Sequence, residues 1–328
     1  VSEFRGPLSI LDLASVGRGE RVADALAASV DLARTAERCG YHRVWYAEHH
    51  NNALIASAAP AVLIAHVAAH TATIRLGSGG VMLPNHAPLV IAEQFGTLAE
   101  LHPGRIDLGL GRAPGTDRNA MLAMRRGPAA AQTFPRDVQE LQGYLSGESL
   151  VEGIRATPGA GTNVPVYILG SSLFGARLAA ALGLPYAFAS HFAPAALTDA
   201  VAAYRAEFRP SPQCERPYVI AAANVLAADS EEAAAQQLLT LRRRWVTIVL
   251  GRTDPVPDAE ADLVLDSPHG RLVHENLRYT AAGTPGRVAD FLHGFAADTG
   301  ADELILAHQG PSATERLHSV ELTAAAMG

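Results

Sequence analysis

The chain has 328 residues, 48% of them hydrophobic, and a formal net charge of -7 at pH 7. That supplies a large core, is unlike a disordered composition, and offers no basic face for nucleic acid or an anionic membrane. All 26 basic residues are arginine, so chemistry that needs a lysine, a Schiff base or a phosphate-loop ammonium, is excluded.

The first apolar run, residues 8–13, reads as a strand. Residues 22–39 follow as a helix, with Val22, Leu26, Val30 and Ala33 at helical spacing and Gly40 as its stop. Residues 42–46 form a second strand that delivers Glu48, His49, His50 and Asn51 at its end. A helix over 57–70, too short to cross a bilayer, leads to a strand over 73–76 that runs into Gly77-Ser78-Gly79-Gly80. Then come a helix over 88–101, a turn at Pro103-Gly104, and a strand over 105–110 ending in Gly111-Arg112-Ala113. The rhythm resumes with strands over 166–169, 186–189, 218–224 and 303–306. Helices are read over 173–182, 195–208, 230–247 and 313–325. Eight strands alternating with helices predict parallel β/α units closed into a (β/α)₈ barrel, with an open doubly wound sheet as the alternative. Residues 115–131 and 251–270, rich in turn-forming residues, break the rhythm and read as excursions over the barrel mouth. No linker divides the chain, so residues 1–328 read as one barrel domain.

Cys39 and Cys214 stand far apart, with no zinc spacing and no disulfide framework. No charged region followed by an apolar run opens the chain, so a reducing, cytoplasmic setting is expected. In a barrel, function collects where strands end. Four clusters stand there: 48–51, 77–80, 111–112 and 170–172. His49 and His50 follow a strand directly rather than lying on an apolar helix face. His66 and His70 are four apart on a helix outside the barrel, where a structural role is expected. Gly170-Ser171-Ser172 precedes a helix, whose free N–H groups attract anions, and its two hydroxyls add donors. Arg112 adds charge and a fork of donors. Together these suit a phosphate monoester, although Ser-Ser before a helix also reads as a simple cap. No GxGxxG opens a βα unit and no GxSxG is present, which disfavours a nicotinamide-dinucleotide fold and a serine hydrolase.

These segments resemble the luciferase-like flavin monooxygenases, the group of the alkanal monooxygenase of luminous bacteria. The resemblance runs through 45–51 (Trp-Tyr-Ala-Glu-His-His-Asn), 77–88, 103–115, 169–183 with the following Leu-Pro-Tyr-Ala-Phe-Ala-Ser-His-Phe, and 283–288. It implies a barrel that takes reduced FMN from a separate flavin reductase. With molecular oxygen, and through a C4a-peroxyflavin, such an enzyme oxygenates a small organic substrate such as an aldehyde. It also implies a homodimer. His49 matches the family's active-site histidine, with His50 as the fallback. Arg112 and Ser171 match flavin-phosphate contacts, with Gly170 and Ser172 beside them. Gly79 and Gly80 match a cis-joined pair beneath the flavin ring. The luminous enzyme has a cysteine at the place of Gly111 and an acidic residue at that of Gly170, which argues against light emission here. Near relatives often carry a further serine at the place of Gly175. The same resemblance leaves open an F420-dependent oxidoreductase, or a flavin-binding protein without activity. No metal is expected. The flavin would carry the oxygen chemistry, and an imidazole titrating near neutrality can handle the proton.

Overall fold

A computed structural model describes residues 3–252 and 254–328. Nine strands appear in chain order: β1 (Leu8–Asp12), β2 (Arg43–Tyr46), β3 (Arg75–Met82), β4 (Ile106–Gly111), β5 (Val166–Gly170), β6 (Tyr186–Phe188), β7 (Val219–Ala227), β8 (Thr280–Gly283) and β9 (Glu303–His308). Parallel pairing joins β1 through β7 in sequence, then β7 to β9 and β9 back to β1, so eight strands close a ring. β8 lies outside that ring, paired to the last residues of β7, Asn224 to Ala227. The helices between strands are α1 (Val22–Arg38), α2 (Pro60–Ala68), α3 (Pro88–Leu101), α4 (Arg118–Ala123), α5 (Phe134–Ser146), α6 (Leu173–Leu182), α7 (Leu197–Glu207), α8 (Glu231–Val249), α9 (Asp258–Leu265), α10 (Pro268–Asn276), α11 (Pro285–Thr299) and α12 (Ala313–Met327). Among the described residues no helix is long and apolar enough to cross a membrane.

Side chains alternate across a strand, so one parity faces the barrel axis. Here it is the odd one on every strand that contributes except β7, where it is the even one. Leu11, Trp45, Ala47, Tyr167, Ala187, Ile220, Ala222, Ile305 and Ala307 pack together inside the ring. The even positions, such as Ile10, Val44, Leu76, Leu108 and Ile168, join the larger core between strands and helices. Across from the bulky interior residues, β3 and β4 carry glycine. A Cβ on Gly77 would stand 2.8 Å from the Trp45 indole nitrogen, and one on Gly79 would stand 2.9 Å from Leu11 and Trp45 side-chain atoms.

The N-terminal end of the ring is plugged by charge. Arg43 Nη1 donates to Asp107 Oδ2 and to the Tyr167 hydroxyl, each at 2.8 Å, and Nη2 donates to Glu303 Oε2 at 3.1 Å. Arg75 pairs with the other side of Asp107. The hydroxyls of Ser9 and Tyr218 donate to Glu303 at 2.5 and 2.7 Å. The cluster has no exposed member at Arg43, Asp107 or Glu303.

Several boundaries differ from the sequence reading. β3 does not stop at residue 76 but continues through the glycines to Met82, with a register shift between Ser78 and Val81 against β4. α2 begins at Pro60 rather than at 57, because Ser57 is used to close the preceding loop. Its hydroxyl donates to Ala47 O at 2.5 Å and its carbonyl accepts from His49 N. Residues 115–131 and 251–270 are not bare loops. They carry α4, and α9 with the start of α10; Thr253 in the second stretch lies outside the described residues. α5, β8 and α11 have no counterpart in the sequence reading.

Candidate active site

Inward parity extends past the ends of the strands and sorts the two adjacent histidines. His49 continues the series Arg43, Trp45, Ala47 toward the axis, while His50 turns away. His50 Nε2 is bound to Glu48 Oε1 at 2.9 Å. Glu48 is fully buried and gathers three loops. It also binds His86 Nε2 at 2.9 Å, accepts from the Met82 amide at 2.9 Å, and accepts from Asn85 Nδ2 at 3.2 Å. Burial opposes its ionisation, but the hydrogen bonds from His86, His50 and Met82 outweigh that and hold the carboxyl below its usual range. The His49 ring has no hydrogen-bond partner among the described side chains. Burial pushes its pKa down, partly opposed by the Glu48 charge. The Gly115 backbone also acts to raise it, and a neutral imidazole near pH 7 results, bound by no other described side chain. His86, which the sequence reading passed over, follows a short 3₁₀ turn after β3 and has no spacing rule to mark it.

Two strands round the ring from β2, Arg112 follows β4 directly and lays its guanidinium 4.0 Å above the Phe174 ring. Phe174 lies in the first turn of α6, so the charge is held over the start of that helix. Among the described residues Arg112 makes no salt bridge. Ser172 is the N-cap of α6, with extended backbone, yet its hydroxyl does not cap the helix. The expectation of a simple serine cap fails here. The Ser171 and Ser172 hydroxyls and the first amides of α6 stay available beside Arg112. The Ser172 carbonyl is taken by the Tyr186 hydroxyl at 3.0 Å, which fixes the turn. A Cβ on Gly175 would stand 3.3 Å from the Tyr186 ring, so the floor of this turn is close packed.

Gly79 and Gly80 lie between these two groups, and the peptide joining them is cis. A Cβ at Gly80 would stand 2.8 Å from the Gly109 carbonyl oxygen, so the β4 backbone closes one side of the pair. Their other neighbours in the ring, β2 and β4, carry His49 and Arg112. His191, three residues past β6, is buried near His49 and was not singled out from the sequence. His66 and His70 are surface residues with rings 4.6 Å apart, and no metal-ligand cluster exists among the described residues.

Fold and site together define a closed parallel β/α barrel with polar donors gathered at its C-terminal mouth. Comparison with known proteins gives the class its name. The model of the family described as luciferase-like monooxygenase matches residues 8–303. A "Luciferase-like monooxygenase" of Escherichia coli strain K12 is 47% identical over 317 residues, 96% of this chain and 95% of that protein. An N-acetyl-S-alkylcysteine monooxygenase of Bacillus subtilis strain 168 is 37% identical over 298 residues, 87% of each. The crystal structure of apo-MsnO8 superposes with a TM-score of 0.89 at 36% identity, covering 98% of this chain and 97% of that one. The chain belongs to the luciferase-like monooxygenase family, and its activity is that of a flavin-dependent monooxygenase.

Proposed function

We propose that the chain binds reduced FMN non-covalently, receives it from a separate flavin reductase, and uses it with molecular oxygen to oxygenate a small organic substrate. The observation that carries this reading is the convergence of three kinds of unengaged donor at one point: the Arg112 guanidinium, the Ser171 and Ser172 hydroxyls, and the uncapped amides of α6. This donor set suits a phosphate monoester, and Gly170 precedes the two serines at the end of β5. Gly79 and Gly80, with no side chains, offer a flat backbone surface against which an isoalloxazine ring fits. Reduced FMN, when bound, supplies the electrons for oxygen activation. Arg112, Ser171 and Ser172 bind and orient; His49, neutral and facing the axis, takes or gives the proton at the reacting end; the loops gathered by Glu48 exclude water.

Both relatives named above are monooxygenases, which favours FMN chemistry over an F420-dependent hydride transfer. The Bacillus relative supports testing N-acetyl-S-alkylcysteines beside aldehydes as substrates. We also read the protein as a cytoplasmic homodimer. α2 and α3 turn Val62, Val90 and Leu101 outward, Cys39 and Cys214 are unpaired, and light scattering at micromolar concentration measures the mass. The central test is anaerobic titration of the purified protein with reduced FMN. Saturable binding at micromolar flavin, followed by oxygen consumption on mixing with air, is expected. No saturation overturns the reading, and oxygen-independent turnover with reduced F420 replaces it.

A further inference from the structure

His191 combines features that packing alone does not call for. It is only 8% exposed. Its Nδ1 is sealed from solvent without a hydrogen-bond partner. A buried polar atom left unmatched destabilises the fold unless a ligand or water meets it. The main chain around it, by contrast, is clamped. Asn224, on the inward face of β7, donates from Nδ2 to the His191 carbonyl at 2.6 Å, and its Oδ1 accepts from Gln309 Nε2 at 3.1 Å. One residue earlier, Ser190 Oγ donates to Ala222 O at 2.6 Å and accepts from Ala222 N at 3.1 Å. Residues from β7 and from the end of β9 therefore fix the position of a ring that is itself held by no polar contact.

The ring also lies where a ligand would pass. Past β6 the chain leaves the strand and turns, the Ala193 amide donating to the Ala189 carbonyl at 3.1 Å, and His191 stands in that turn. In the ring of eight, β6 stands four places from β2, so His49 and His191 extend over the mouth from opposite walls. Among the charged groups around His191, only His49 makes its charge felt; that neighbour and, above all, burial push the His191 imidazole down to about 4. Asn224, Gln309 and Phe192, which pack about it, carry no charge.

We propose that His191 is a ligand-contacting residue of this site, a neutral imidazole that hydrogen-bonds the flavin held between it and His49. Asn224 is its positioning residue. The inference rests on the flavin reading above, and the experiment separates the two. Histidine-selective ¹⁵N labelling reads each imidazole in the ligand-free protein. The His191 midpoint is expected near 4 in wild type and higher in His49→Gln; identical midpoints in the two proteins overturn the opposed arrangement. Reduced FMN is then added without oxygen. The His191 ring nitrogens are expected to shift at stoichiometric flavin. His191→Phe is expected to weaken FMN binding about threefold to tenfold, the size of one neutral hydrogen bond, with the thermal midpoint unchanged or raised. His191→Gln, which still offers a hydrogen bond, is expected to recover part of the affinity, and it serves if the phenylalanine variant does not fold. FMN bound with the His191 signals unmoved and the affinity of both variants intact overturns this proposal and leaves the flavin reading standing. No binding to wild type overturns both.

Discussion

His49 and His50 are neighbours in sequence with opposite fates, and hydrogen bonding decides between them. Glu48 occupies the His50 ring, while His49 is bound by no other described side chain and stays neutral. His49→Ala is therefore expected to bind reduced FMN with near-normal affinity yet lose at least about tenfold in coupled product formation, since positioned acid–base groups contribute about 10²–10⁴. Full product yield in that variant would remove the role. A second residue-scale expectation concerns acid stability. Burial holds His191 at about 4 and His308 at about 3, against 6.5 for a free imidazole. The unfolded chain binds protons in that window which the folded chain refuses, so stability is present above about 6.5 and is lost as pH falls toward those lower values. Glu48 adds to the loss below the ordinary carboxylate range. Asp12, whose carboxyl is raised by burial, works in the opposite sense. The thermal midpoint should fall between pH 7 and pH 4, and fall less steeply in His308→Gln; equal slopes would count against His308. At this scale the sequence reading located polar residues just past strand ends, as at His49 and Arg112, and the structure places both at the barrel mouth. His191 also follows a strand, read over 186–189, yet it was not singled out, because no rule says which residue past a strand end turns inward.

Elements explain why the phosphate cradle exists at all. An N-cap serine ordinarily bonds back to its own helix; at α6 it does not, and the helix dipole and its amides remain open toward Arg112. Arg112→Ala is expected to weaken reduced-FMN binding about tenfold or more, as loss of a charged hydrogen bond does, while leaving the melting temperature near that of wild type. An unchanged dissociation constant would separate Arg112 from the phosphate. The approach of β3 to β4 is equally specific. A Cβ at Gly109 would stand 2.2 Å from the Ser78 carbonyl oxygen, so Gly109→Ala must push two strands apart. A stability loss of about 1–3 kcal/mol is expected from overpacking of this kind, measurable in thermal melts. The strands and helices with clear periodicity were readable. α5 was hidden between two irregular stretches, and β8 by its four small residues, Thr-Ala-Ala-Gly. The extent of β3 was hidden by glycines that read as a turn but lie flat in the sheet, because their missing side chains leave room for Trp45 and Leu11.

For the molecule as a whole, the two ends of the barrel divide their tasks. The mouth carries unengaged donors, and the base is filled by matched charge around Arg43. Removing one partner from such a buried set strands the others. Arg43→Leu is expected to cost about 3–5 kcal/mol, seen as a clear fall in the thermal midpoint. A variant as stable as wild type would mean that Arg75, Ser9 and Tyr218 suffice for Asp107 and Glu303. None of this plug was foreseen, because Arg43, Asp107 and Glu303 are scattered through 261 residues and only ring closure brings them together.

Ring closure also bears on how the protein meets other chains. A strand with an unpaired flank is a template onto which a foreign strand can add. Eight of the nine strands here have both flanks occupied, and β8, paired to β7 alone, is the exception among the described residues. At four residues it is too short to offer more than a bond or two. The native barrel thus gives sheet-extending aggregation almost nothing to seed on. Scattering from β-rich aggregates should lag behind unfolding in a heating experiment and never precede it, since the backbone that aggregation needs is exposed only once the ring has opened.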